Sequence, residues 1–168
     1  MLIDTSVSSA NLLGFISLLT YILTLLPSSI RIVFPQIKKA KITMNLLKYR
    51  RQLGILAFIF ALIHAGLIIV KRNVDLFDLQ TYKISLEGTV TLIMFAILAV
   101  TSNDWSIKKM KKHWRKLHKS TYVCMFLILW HIKEKMYGHW NIITLIEIIL
   151  MTVTIVLFFR RRWLEHYK

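Results

Sequence analysis

Cysteine, proline, glycine and acidic residues are all scarce in this sequence of 168 residues. The single cysteine, Cys124, lies inside an apolar run, so a disulfide framework within the chain is excluded. Only 2 prolines and 5 glycines accompany 56% hydrophobic residues, a composition too apolar and too favourable to helix for a soluble domain of this size. A P-loop, a GxGxxG turn, a CxxC pair and a plausible Ser/His/Asp set are also absent from the sequence.

Acidic residues number 8 against 23 lysines and arginines, giving a formal net charge of +15. In a soluble protein this excess would suggest nucleic acid as a partner. Here the basic residues fall between apolar runs and do not follow one polar face, so we predict no nucleic acid and a membrane protein whose basic loops contact lipid headgroups.

Five apolar segments are long enough to cross a hydrocarbon layer of about 30 Å. We therefore predict an all-α integral membrane bundle forming a single domain over residues 1–168. The residues before the first segment lack the basic stretch of a signal peptide and include Asp4, so we expect that segment to stay in the membrane. The predicted spans lie near residues 8–26, 52–70, 84–100, 117–132 and 140–159.

The basic loops predict the orientation of the bundle. Residues 31–51 and 103–119 each hold 7 lysines and arginines, and residues 160–168 hold 4. The loops on the other side hold the few that are left. Because cytoplasmic loops carry the excess of positive charge, we expect a multi-pass membrane protein with the N-terminus outside and the C-terminus in the cytoplasm.

Two histidines lie deep in predicted spans. His64 follows Arg51 by 13 residues and His131 follows His118 by 13, so each lies about 20 Å above a basic entrance. An imidazole in hydrocarbon needs a partner. His64 alone could be a packed, hydrogen-bonded histidine, but two level imidazoles on different helices can supply both axial ligands of a haem iron.

His118 is harder to assign. On a straight helix, 13 residues turn a side chain so far that His118 and His131 would face nearly opposite ways. A kink or an irregular first turn would be needed to direct both imidazole rings at one haem stack. His118 is therefore either a haem ligand or a histidine at the membrane interface. At its level on the second span are Arg50 and Arg51, whose guanidinium groups suit a haem propionate better than iron.

Four stretches of the sequence carry a family resemblance: LTLLPSSIRIVF, YRRQLGILAFIFALIHAGL, LAVTSNDW and HWRKLHKSTYVCMFLILWHI. With their spacing they cover residues 18–132. They resemble the ferric reductase-like transmembrane domain family, and within it the haem-binding membrane subunits of bacterial periplasmic methionine sulfoxide reductases.

The resemblance implies b-type haem, one or two per chain, with His64, His118 and His131 at the ligand positions. It also implies flavin mononucleotide near the cytoplasmic face, where Arg50, Arg51 and Arg115 would anchor haem propionates or receive a flavin phosphate. Family members with a FAD/NADPH domain are longer, so we expect the electrons to come from a separate flavin reductase or from quinol.

Three functions remain open on the sequence. The first is an electron-transfer subunit, not itself the substrate-converting one, that passes electrons from a cytoplasmic flavin reductase or quinol to an acceptor outside, such as a periplasmic methionine sulfoxide reductase. The second is a stand-alone ferric or oxygen reductase that uses an exposed outer haem. The third is a non-redox accessory subunit of a membrane complex, whose histidines only pack.

Overall fold

The computed structural model describes residues 9–72, 79–135 and 141–167. Every regular element in these ranges is helical, which confirms the predicted all-α class. A short 3₁₀ turn, Pro35–Ile37, joins the first two helices. The α-helices are α1 Ser9–Val33, α2 Lys41–Lys48, α3 Arg50–Arg72, α4 Leu79–Val100, α5 Asp104–Met110, α6 Lys112–His118, α7 Thr121–Lys135 and α8 Ile142–His166.

Two asparagines begin helices by accepting from backbone N–H groups. The Oδ1 atom of Asn103 accepts from the amide of Ser106 at 2.7 Å and begins α5. The Oδ1 atom of Asn141 accepts from the amide of Thr144 at 2.8 Å and begins α8. Each bond satisfies one of the donors that a helix start leaves without an intrahelical partner.

The five long helices pack in a closed circuit. Helix α1 packs against α3 and α8, α4 packs against α3 and α7, and α7 packs against α8. Leu25, Met125 and Met151 are fully buried where the helices meet, and Tyr21 and Phe95 belong to the same core. Leucines and isoleucines on the outer faces stay exposed, as expected for a bundle surrounded by lipid tails.

Three of the described helices are long and apolar enough to cross a membrane: α1, the Arg50–Val70 part of α3, and α8. A fourth candidate combines Leu86–Val100 with Asp104–Met110, but these two bend by 92°. Helix α7 has 15 residues and rises about 22 Å, which is shorter than the hydrocarbon layer. The helices lie where the five spans were predicted, while the count of five crossings stays a prediction.

Two boundaries differ from the predicted spans. Helix α1 does not end before Pro27 but continues through it to Val33. Pro27 is fully buried against neighbouring helices, a setting in which an internal proline is tolerated in a membrane helix. The predicted span 117–132 is broken, because α6 ends at His118 and α7 begins only at Thr121. Residue 140, at the start of the last predicted span, lies outside the described residues.

The break between α6 and α7 has a local cause. The amides of Lys119 and Ser120 bond to carbonyls three residues back, and the Ser120 hydroxyl donates to the Leu117 carbonyl at 2.6 Å. Such tight bonds close the last turn of α6 and compete with continuation of the helix. Helix α7 therefore begins as a separate helix at Thr121.

We call the end of the bundle where α3 and α7 begin the basic end, since Arg50, Arg51 and α6 lie there. Helix α1 begins at the opposite end. If the basic end faces the cytoplasm, a single cysteine introduced by Ser9→Cys in a Cys124→Ser background will react with an impermeant thiol reagent on intact cells. A cysteine introduced by Lys112→Cys will react only after permeabilisation. The reverse pattern would contradict the predicted orientation.

Candidate functional site

A cavity of about 570 Å³ opens at the basic end of the bundle. Its size falls in the range of small-molecule and cofactor sites. Four of the six residues singled out from the sequence line it together: Arg50, Arg51, Arg115 and His118. Aromatic side chains supply part of the wall, so a flat, partly apolar group could lie there. We call this space the basic cavity.

Positive charge dominates the lining of the basic cavity. Its basic members are Lys48, Arg50, Arg51, Arg115 and Lys119. Among the described lining residues the one carboxylate is Asp104, which pairs with Arg51 at 2.6 Å. Both partners of this pair are well exposed, so it contributes little stability and leaves the excess of positive charge in place. The cavity therefore favours an anionic group such as a carboxylate or a phosphate.

His118 is held by two contacts at the wall of the basic cavity. Its ring stacks on Trp114, one turn earlier in α6, with 4.1 Å between ring centroids. Its Nε2 atom lies 3.1 Å from Oγ1 of Thr101 at the end of α4. Trp114 donates from Nε1 to the carbonyl of the same Thr101 at 2.8 Å. Partial burial, and then the charge of Arg50, lower the pKa of His118, which favours the neutral imidazole that binds metals.

The helix break changes the geometry of His118 relative to His131. The predicted conflict between their directions assumed one straight helix from residue 118 to residue 131. His118 closes α6 and His131 lies on α7, so the two rings do not share a helix. The straight-helix rotation therefore does not apply, and the direction of His118 is fixed by Trp114 and Thr101.

His64 lies in α3 with its ring against α1. Its Nδ1 atom is 2.6 Å from the carbonyl oxygen of Ala10. Since a carbonyl only accepts, Nδ1 carries the hydrogen and Nε2 keeps its lone pair. A methyl group built on Gly14, one turn after Ala10, would lie 3.1 Å from Cε1 and Nδ1 of the ring. The imidazole thus fits into a notch that the missing side chain of Gly14 leaves open.

His131 lies in α7 with its ring against α4. A methyl group built on Gly88 would come within 2.7 Å of Cε1 and 3.0 Å of Nδ1. Real side chains essentially never approach so closely, so the space beside Gly88 is already filled by the imidazole. We call this space and the one beside Gly14 the two glycine notches.

The contact of His64 with Gly14 and the contact of His131 with Gly88 lie at similar distances from the basic end of the bundle. Arg50 of α3 donates to Ser28 of α1 at 3.2 Å. The two helices are antiparallel, so fourteen residues after Arg50 on α3 and fourteen residues before Ser28 on α1, His64 lies against Gly14. His118 contacts Thr101 at the end of α4, and Gly88, thirteen residues earlier in the chain, lies against His131 on α7. Arg50 and His118 line one cavity. His64 lies about 20 Å from Arg50 along α3, and Gly88, which contacts His131, lies about 20 Å from Thr101 along α4.

Several residues of this arrangement were not singled out by the sequence. Gly14, Gly88 and Thr101 carry no chemical signal of their own, because their role is to lie opposite a histidine on another helix. The sequence does contain a signal for Trp114, because its spacing of four residues from His118 on one helix permits the stacking observed.

The donor atoms fit haem. Among the described residues no three His, Cys, Asp or Glu side chains gather to hold a metal ion. Each histidine is therefore a separate nitrogen donor, which suits an iron that already has four porphyrin nitrogens. The Nε2 lone pair of His64 and the cationic lining of the basic cavity suit iron and propionates respectively.

Comparison with known proteins gives a family match over most of the chain. The ferric reductase like transmembrane component matches residues 13–129, a range that includes His64 and His118 and ends two residues before His131. The protein-methionine-sulfoxide reductase heme-binding subunit MsrQ of Brucella ovis is 35% identical over 120 residues, which cover 68% of this chain and 51% of the relative. The MsrQ of Brucella anthropi is 37% identical over 87 residues, 49% of this chain and 40% of the relative. The chain spans about half the length of the curated relatives it matches.

The hydrogen bond of Trp114 predicts a measurable loss of stability when this side chain is replaced. Trp114→Phe removes the hydrogen bond to the carbonyl of Thr101, so it should cost about 1 kcal/mol. In thermal unfolding of the detergent-solubilised protein this corresponds to roughly 2–4 °C for a domain of this size. Trp105→Phe is the control, because the Trp105 side chain is mostly exposed and should change stability by less than about 0.5 kcal/mol. Equal losses at the two positions would contradict this assignment.

Proposed function

This chain belongs to the ferric reductase like transmembrane component family, and from that premise we propose that it is a b-type haem subunit that carries electrons across the membrane. The family and the apolar helices make it a multi-pass protein of the inner membrane. The electrons run from the cytoplasmic side to an acceptor outside. The substrate chemistry takes place on a partner protein.

The observation that carries the proposal is the paired register of the histidines. His64 and His131 lie on different helices at matching distances from one basic cavity, and each ring lies in a glycine notch. Two imidazoles at one depth can hold one haem from both sides. Haem supplies a one-electron carrier, and ligation by two imidazoles leaves no open position for a substrate. The hydrogen bond from Nδ1 of His64 to the Ala10 carbonyl orients the ring, as such bonds do for metal-binding histidines.

The basic cavity has a separate role in the proposal. His118 holds a second, inner haem, and Arg50, Arg51 and Arg115 bind its propionates or a flavin phosphate. The cavity volume, the single carboxylate among its described lining residues and the place of His118 in the cavity wall support this assignment. The binding of flavin mononucleotide stays a prediction from the family resemblance.

The relatives suggest the partners. The Brucella ovis protein is named as the heme-binding subunit of a protein-methionine-sulfoxide reductase. We propose a periplasmic methionine sulfoxide reductase as the acceptor for this chain, and a cytoplasmic flavin reductase or quinol as the donor. The positive surface of the basic end supports a donor that brings an acidic face or a small anionic carrier.

Reduction with dithionite tests the haem assignment. Purified protein from haem-replete cells should show b-type bands, and the His64→Ala, His131→Ala double variant should lose those of the outer haem because the iron loses both nitrogens. His166→Ala is the matched control, since this histidine is exposed at the end of α8. Wild-type protein without b-type bands, or a double variant with full haem, would overturn the proposal.

Haem stoichiometry tests the inner site. His118→Ala should lower the ratio of haem to protein by about one, because His118 is the only histidine among the described residues lining the basic cavity. His113→Ala, on the exposed side of the same helix α6, should leave the ratio unchanged. An unchanged ratio after His118→Ala would restrict the haem site to His64 and His131.

A further inference from the structure

The two glycine notches are a feature that haem ligation alone does not explain. Four of the glycines lie in described helices, and two of them, Gly14 and Gly88, lie directly against the rings of the proposed outer ligands. We propose that Gly14 and Gly88 are positioning residues that fix the imidazole planes of His64 and His131. This inference rests on the proposed function, since it concerns the ligands of the outer haem.

At His64 the notch gives the ring access to a backbone carbonyl. Ala10 and Gly14 are four residues apart, so they lie on the same face of α1, one turn from each other. The His64 ring reaches the Ala10 carbonyl at 2.6 Å only because no side chain projects from Gly14. A methyl group there, 3.1 Å from Nδ1 and Cε1, would push the ring away and lengthen the hydrogen bond.

At His131 the notch is tighter. A methyl group on Gly88 would lie 2.7 Å from Cε1, 3.0 Å from Nδ1 and 3.4 Å from Nε2, so it would meet the whole edge of the ring. An imidazole has two side-chain torsions and cannot bend away as a lysine or methionine can. Either the ring must rotate to another plane, or α4 and α7 must move apart.

The consequence for ligation follows from the geometry of the donor nitrogen. The plane of an imidazole determines where its Nε2 lone pair points and which hydrogen bond its Nδ1 makes. Partners that orient a metal-binding histidine commonly change metal affinity by about 10-fold to 100-fold. Each notch therefore acts on the iron through its histidine, although neither glycine would touch it.

Three alanine substitutions at glycines make a matched set. Gly88→Ala should weaken haem binding by roughly 10-fold or more and shift the midpoint potential and the low-spin electron paramagnetic resonance signal, which reports the angle between the ligand planes. Gly14→Ala should cause a smaller shift of the same kind, since its contacts are longer. Gly66→Ala is the control: it lies in α3 two residues from His64, and nothing lies within 4 Å of the added methyl group.

A double-variant cycle in the haem-free protein separates the notch from the haem assignment. Gly88→Ala should lower the thermal midpoint when His131 is present. It should have no such effect in a His131→Ala background, where the ring that meets the methyl group is gone. If Gly88→Ala alone does not fold, recovery of folding by His131→Ala supports the proposal, and failure to recover overturns it.

The outcomes distinguish the two proposals. Wild-type protein that binds haem, with Gly88→Ala and Gly66→Ala giving the same potential and resonance signal, would overturn the positioning role and leave the proposed function intact. If Gly88→Ala lowers the thermal midpoint equally with and without His131, the positioning role is also overturned. Wild-type protein that takes up no haem would overturn the proposed function itself.

Discussion

The arrangement depends on the cost of leaving a polar group without a partner inside a bundle surrounded by lipid. With no water to bond to, every buried donor must find an acceptor within the protein. Several side chains of this chain do so by bonding to the backbone of another helix. Ser17 donates to the carbonyl of Ala57, Tyr21 donates to the carbonyl of Thr121, and His64 bonds to the carbonyl of Ala10. These bonds fix the register of α1 against α3 and α7.

The same requirement gives the two ends of the bundle different chemistry. At the basic end, charged side chains reach water and one another, and they line a cavity that α3, α4 and α7 help to enclose. Further along the helices the imidazoles of His64 and His131 are accommodated by backbone and by glycine, since His64 bonds to the Ala10 carbonyl and both rings lie against glycines. A polar cavity at one end and two contacts between histidine and glycine further along the helices therefore follow from one physical constraint acting at different depths.

Glycine has a specific packing role at two positions of this bundle. In a soluble helix an internal glycine is a net cost, because alanine forms helix better. At Gly14 and Gly88 that cost is offset by the close approach of an imidazole, which an alanine would prevent. Gly66, with open space around it, shows that the role belongs to particular positions and not to the residue type.

The sequence by itself determined the all-helical class, the places of the five long helices and the candidate residues, because apolar runs, basic clusters and isolated histidines are local patterns. It also contained the spacing that separates His64 and His131 from their basic entrances. The continuation of α1 through Pro27 and the break after His118 depended on packing and on competing short-range bonds, which hydropathy does not record. Only the tertiary structure decided which groups of different helices meet: Thr101 at His118, Gly14 at His64, and Gly88 at His131. Each of these contacts joins residues whose relation depends on how helices pack, and a linear sequence states no such distance.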